Sequence, residues 1–151
     1  MNNSIPDTEL ALDRQLCFAV YGAAHALNRT YKRLLDPLGL TYPQYLVMLA
    51  LWQQDGLSVK ALGEQLGLDS GTLSPLLKRL QQSGHVGRRR DDTDERKVLI
   101  SLTESGAALK QHASGVMLSL VNATGCTVPE MIDLRDRLQV LRDNLLENAA
   151  D

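Results

Sequence analysis

Cysteine is scarce in this chain of 151 residues: it occurs only at Cys17 and Cys126. No run of about 18 apolar residues exists, and the opening Met-Asn-Asn-Ser-Ile-Pro-Asp has no basic stretch followed by an apolar one. Each shortage removes a class of protein. A chain of this length can bury a core without disulfide staples. The missing apolar run and the opening residues argue against membrane insertion and secretion. A soluble cytoplasmic protein is the expectation, and in that reducing setting Cys17 and Cys126 would not form a permanent structural bridge. His25, His85 and His112 lie far apart, with no metal-ligand spacing to each other or to a cysteine. There is no glycine-rich phosphate loop, nucleophile elbow or spaced carboxylate pair. Neither a metal nor another cofactor is expected, and nothing outside the thiols argues for an enzyme.

What is present is an uneven charge. The net charge is −2, yet the stretch from Lys78 to Lys97 holds seven bases (Lys78, Arg79, Arg88, Arg89, Arg90, Arg96, Lys97) against four acids. A basic stripe on an acidic body is a footprint for a polyanion. A charge run taken alone is more often a solvated face.

Apolar residues at Leu12, Leu16, Val20, Ala23, Leu27 and Leu34 recur at helical spacing and predict a helix from about Asp13 to Leu35, ended by Asp36-Pro37 and Gly39. Thr41-Tyr-Pro-Gln44 has the form of a capping box and opens a second helix through Trp52. Ser58 reads as the N-cap of a short helix to Gln65, followed by a break at Gly67 and a helix carrying Leu73, Leu76, Leu77 and Leu80. Two short helices joined by a tight turn make a helix-turn-helix. Pro75 is awkward inside the second of them, so Ser74 is expected to cap its regular part, with Ser70 to Leu73 as a looser first turn.

After Gly84 the period changes. Val86 to Arg90 and Lys97 to Leu102 flank Asp91-Asp-Thr-Asp-Glu95, which predicts a β-hairpin with a charged tip. The whole describes a mainly α winged helix with a small β-wing. A long helix is expected from Thr103-Glu104 to about Ala123. A second capping box, Thr127-Val-Pro-Glu130, leads into Met131, Leu134, Leu138, Leu141 and Leu145, whose steps of 3 and 4 make a coiled-coil seam. The expected layout is a single domain over 1–151. In it, segments of about 12–35 and 104–148 form a dimer platform around a DNA-binding lobe of about 41–102.

Outside its leucine stripe the second helix of the motif presents Ser70, Thr72, Ser74, Lys78 and Arg79. Short hydroxyls near a helix N-terminus suit base edges and phosphates, while Lys and Arg add positioning contacts. Arg96 at the wing tip suits a narrow minor groove, with neighbouring acids to brace it. Arg88, Arg89 and Arg90 alternate across a strand, so one or two of them are expected to reach phosphates. Cys17 has two readings. Free cysteine commonly serves as a small buried hydrophobe, whereas a thiol near a helix start, where the macrodipole favours negative charge, can act as a sensor. Tyr31 is about 21 Å along the same helix, so any contact with Cys17 must come from a second subunit.

Asp94-Glu-Arg-Lys-Val-Leu-Ile-Ser-Leu-Thr103 resembles the wing signature of MarR-type winged-helix regulators. Leu16-Cys-Phe-Ala-Val-Tyr21, the segment Leu40 to Trp52 and the segment Leu68 to Leu80 resemble the organic-hydroperoxide-resistance repressors within that class. The resemblance implies that Cys17 is the peroxide-sensing thiol, that Tyr31 and Tyr42 hydrogen-bond it, and that Arg96 enters the minor groove with Asp94 as its partner. It further implies the two-cysteine type, in which Cys126 resolves the Cys17 sulfenate across subunits. The reading is a homodimeric repressor that binds double-stranded operator DNA when reduced and leaves it on oxidation by organic hydroperoxide. The rivals are a MarR-type repressor released by a small phenolic or hydrophobic ligand, and a thiol peroxidase.

Overall fold

The computed structural model describes residues 4–149. Short 3₁₀ turns over Asp7–Leu10 and Leu12–Arg14 lead into helix α1, Leu16–Leu35. The helix starts three residues after the expected Asp13. Asp13 lies inside a 3₁₀ turn, and the cap position is taken by Gln15, whose side chain does not cap the helix but donates to the Glu9 carbonyl at 2.7 Å. The helix ends as expected, in a 3₁₀ turn over Asp36–Leu38 followed by Gly39. Thr41 then starts helix α2, Tyr42–Gln53, with both halves of the capping box formed: Thr41 N–H donates to Gln44 Oε1 at 2.9 Å and Gln44 N–H to Thr41 Oγ1 at 3.4 Å.

Strand β1, Leu57–Ser58, passes directly into helix α3, Val59–Leu66, where Ser58 Oγ accepts the Ala61 N–H at 3.0 Å. Gly67 turns the chain with φ of +65°, a conformation that L side chains resist. Helix α4 follows, Ser70–Gln82. The cap expected at Ser74 is overturned, because the helix begins a turn earlier and runs through Pro75. Asp69 is the true N-cap, its carboxylate accepting the Thr72 N–H at 2.7 Å. The proline costs about 3 kcal/mol. Burial of Leu73, Leu77 and Leu80, each no more than 1 % exposed, outweighs this at roughly 1.5–3 kcal/mol per side chain.

The hairpin consists of β2, Val86–Arg90, and β3, Val98–Leu102. A third strand not expected from the spacing, β1, pairs antiparallel with β3 and gives the order β1-β3-β2. Directly paired residues share a face, so Leu57, Ile100 and Arg88 lie on one side of the sheet and Leu99 and Arg89 on the other. Leu57 and Ile100 are buried, joining a core that includes Leu35, Met48, Leu51 and Leu62.

The continuous helix expected from Thr103 to Ala123 is broken. Helix α5 covers Glu104–Ala108, a 3₁₀ turn covers Leu109–His112, and helix α6 covers Ala113–Thr124. The tightened turn lies between Gly106 and Gly115, each worth about 1 kcal/mol less than alanine in a helix. Gly106 has a further role. A Cβ built on it would collide with the His85 carbonyl oxygen, while the Gly106 carbonyl accepts the indole N–H of Trp52 at 2.9 Å. Gly106→Ala should therefore destabilise the protein by about 3 kcal/mol, seen in thermal denaturation as a Tm lower by roughly 6–12 °C.

The chain divides into two compact units, the first ending at Ala113 and the second starting at Ser114. In the second unit, helix α7, Val128–Asn148, starts at Thr127 in the second expected capping box, with Thr127 N–H donating to Glu130 Oε2 at 2.7 Å. None of its residues is buried in the single chain, and Leu134, Leu138 and Leu145 of the seam are 54 %, 40 % and 62 % exposed. Among the described residues, no helix is long and apolar enough to cross a membrane, and no group of three or more His, Cys, Asp or Glu could hold a metal ion.

Candidate nucleic-acid interface and thiol site

The leucines of α4 face inward, which turns Ser70, Thr72, Ser74, Lys78 and Arg79 outward, and all five are exposed. Ser70, Ser74 and Lys78 follow at intervals of four and share one edge of the helix. Hydrogen bonds from Thr72 hold the Asp69 carboxyl below the usual carboxylate range, so this cap is charged at neutral pH and weakens only on acidification.

The wing arginines are sorted by the pleat. Arg88 Nε donates to Gln81 Oε1 at 3.2 Å, tying β2 to the end of α4. Arg89, on the opposite face, donates to Ser101 Oγ at 2.9 Å. Arg90 Nη1 donates to the Glu95 carbonyl at 2.9 Å across the wing. Asp94 accepts the backbone N–H of Arg96 at 3.1 Å, so it shapes the tip turn while the Arg96 side chain stays exposed. Among the described residues, every ion pair lies outside the stretch from Lys78 to Lys97. Among the described residues none of the seven bases there forms a close ion pair, although the Asp91 carboxyl, held below its usual range first by Thr93, also feels Lys97 and Arg89. Most of the positive charge is thus left to an external anion.

Cys17 is exposed and is the second residue of α1, at the positive end of that helix. Tyr31 and Tyr42 are together: their rings stack with centroids 4.4 Å apart. The half-buried Tyr31 phenol is pushed up to about 12 by burial and by the neighbouring Tyr42 and Tyr45 hydroxyls, and burial also raises Tyr42. Both therefore remain neutral donors at physiological pH. The neutral form of Tyr31 is the one the fold favours, so its contribution to stability is complete below pH 10.0 and is lost as pH rises towards about 12. In an alkaline unfolding titration Tyr31→Phe should lose less stability over that range than the wild type.

Tyr45 and Trp52, not expected from the sequence to take part, extend this cluster. Tyr45 lies 6.0 Å from Tyr31 and 6.0 Å from Trp52, ring centre to ring centre. Their spacing from Tyr42, three and ten residues on, places all three on one face of α2 and is the signal that could have found them. Cys126 follows Gly125 and immediately precedes the α7 cap, with its N–H donating to Thr124 Oγ1 at 3.2 Å and its thiol facing the Thr124 carbonyl at 3.7 Å.

Residues 29–113, more than half of the chain, match the family described as "Transcriptional regulator SarA/Rot". The chain is 52 % identical over 145 residues to the HTH-type transcriptional regulator TtmR of Methylorubrum extorquens, covering 96 % of this chain and 74 % of that protein. It is 45 % identical over 136 residues to the organic hydroperoxide resistance transcriptional regulator of Bacillus subtilis, covering 90 % and 92 %. Among solved structures it is similar to AbfR of Staphylococcus epidermidis. For reduced AbfR bound to DNA the TM-score is 0.74 at 32 % identity, covering 94 % of this chain and 99 % of that one. For overoxidised AbfR bound to DNA it is 0.73 at 33 %, covering 93 % and 99 %. For disulfide-formed AbfR it is 0.63 at 35 %, covering 89 % and 95 %. The chain therefore belongs to the SarA/Rot family of transcriptional regulators, and its likeness to MarR of E. coli and to an organic hydroperoxide resistance regulator agrees with the MarR-type resemblance of its wing.

Proposed function

We propose that this regulator is a peroxide-sensing repressor that grips operator DNA as a reduced homodimer and lets go when Cys17 is oxidised. The observation that carries the reading is the separation of the thiol from the phenols. Cys17 stands exposed at the start of α1, while Tyr31 and Tyr42 are stacked around its other end. A rigid helix keeps them about 21 Å apart within one chain. Two α1 helices crossing antiparallel in a dimer would set the phenols of one subunit beside the thiol of the other, where neutral hydroxyls can donate to a thiolate.

The chemistry balances with an organic hydroperoxide as oxidant. The Cys17 thiolate attacks the outer peroxide oxygen, the O–O bond breaks, and the alkoxide leaves and takes up a proton as the alcohol. The resulting sulfenic acid is attacked by the Cys126 thiol of the partner chain, forming the disulfide and releasing water. AbfR has been solved on DNA in an overoxidised form, so overoxidation there is compatible with DNA binding. That supports assigning release to the disulfide. Non-reducing gel electrophoresis after treatment with one equivalent of cumene hydroperoxide tests this step. A covalent dimer that disappears in Cys17→Ser and in Cys126→Ser is expected, and a chain that stays monomeric removes Cys126 from the mechanism.

On DNA, α4 would enter the major groove and the wing would reach the adjacent minor groove through Arg96. Lys78→Ala should weaken binding to all sequences alike and lower the slope of log K against log salt by about one. Arg96→Ala should raise the operator Kd by about tenfold or more. Fluorescence anisotropy over a salt series reads both.

A further inference from the structure

We infer that Trp52 is the positioning residue that passes the state of the tyrosine cluster to the DNA-reading elements, through its hydrogen bond to the Gly106 carbonyl. This inference rests on the peroxide-sensing reading.

The α4–β2 turn, residues 83–85, joins the recognition helix to the first strand of the wing. Its His85 is held entirely through main chain: its N–H donates to the Leu80 carbonyl at 3.0 Å, and its carbonyl accepts the Thr103 N–H at 3.1 Å. Its buried Nδ1 has no partner among the described residues. The preceding Gly84 carbonyl accepts the Thr103 hydroxyl at 2.6 Å, and that same hydroxyl oxygen accepts the Gly106 N–H at 3.0 Å. The missing side chain of Gly106 lets its backbone lie directly against the His85 carbonyl. Any displacement of Gly106 is therefore felt by the turn that sets the angle between α4 and the wing.

The indole N–H of Trp52 donates to the carbonyl of this same Gly106, at 2.9 Å. Trp52 occupies the last turn of α2, and Tyr42 and Tyr45 occupy the first. The helix between them is a rigid rod of about 15 Å. Tyr31 of α1 stacks on Tyr42, Tyr45 lies beside Tyr31, and Tyr45 meets Trp52 edge to face at an interplanar angle of 73°. A change that pulls Tyr31 and Tyr42 tilts the near end of this lever. The indole N–H moves at the far end and carries the hinge with it. Close-packed rings transmit such a shift because they leave no void to absorb it.

The test measures operator Kd for the reduced and the hydroperoxide-oxidised protein, in wild type and in Trp52→Phe, which keeps an aromatic ring but loses the donor. The reduced variant should bind within about twofold of wild type and form the disulfide at the wild-type rate. Its oxidised-to-reduced Kd ratio should be at least about tenfold smaller, the size of a typical coupling between sites. A purely structural role would lower Tm and leave that ratio alone. An unchanged ratio overturns the inference while leaving the sensor reading intact. A wild-type ratio near one overturns both. Should Trp52→Phe fail to fold, Tyr45→Leu interrupts the same chain one step earlier and is expected to shrink the ratio equally. Trp52 is also the only tryptophan. Its emission should therefore shift on oxidation of the free protein, and not in Cys17→Ser. Emission that stays fixed while DNA is released also overturns the inference.

Discussion

A Cys17→Ser protein should bind operator DNA as tightly as the reduced wild type and keep it when treated with organic hydroperoxide. In the wild type the same treatment should raise the operator Kd by at least about a hundredfold, the shift needed to empty a mostly occupied site. Serine is close in size to cysteine, and the position is exposed at the start of α1, so the exchange removes the nucleophile with little else. The rival readings predict differently. A repressor released by a phenolic ligand would respond to that ligand in both proteins and to hydroperoxide in neither. A thiol peroxidase would consume hydroperoxide through many cycles, whereas a sensor consumes one equivalent for each Cys17. Cys126→Ser separates the two chemical steps. It should still consume one equivalent at Cys17, but its release from DNA should be weaker than that of the wild type.

Charging the α7 seam should cost more affinity than any single contact with DNA. In the double variant Leu134→Asp/Leu141→Asp, two apolar side chains of a helix with no buried residue of its own are replaced by carboxylates. Joining such faces across two chains gains roughly 1.5–3 kcal/mol for each leucine fully buried. Opposed aspartates would repel instead. The protein should sediment as a monomer and retain its helical circular dichroism. Its affinity for an operator with two half-sites should fall by about 10²–10⁴, the factor lost when linked binding events become independent. A variant that remains dimeric and binds normally would mean that the seam is satisfied some other way.

The features legible in the sequence were those set by a few neighbouring residues. Both capping boxes, at Thr41 and Thr127, formed where Thr and Gln or Glu stand three residues apart. The hairpin followed from its alternation and its polar tip. Features decided by distant packing were not legible. Asp69 displaced Ser74 as a cap because burying Leu73 as well as Leu77 and Leu80 outweighs the cost of Pro75, a balance that no local rule contains. Strand β1 is two residues long and exists only because β3 is there to pair with it. The Trp52–Gly106 bond spans 54 residues, and the Leu102 N–H bond to Asp55 Oδ1 at 2.8 Å spans 47. Neither leaves a trace in spacing. The basic stripe was visible as composition, but that its bases form no close ion pair among the described residues emerged only from the fold.

The most direct test of the central claim is operator binding by the reduced protein, titrated with cumene hydroperoxide at fixed salt and then with a dithiol reductant. Redox sensing through Cys17 predicts that binding falls in proportion to hydroperoxide, is lost near one equivalent per chain, and returns on reduction. Binding that persists after Cys17 is fully oxidised to the disulfide would contradict it.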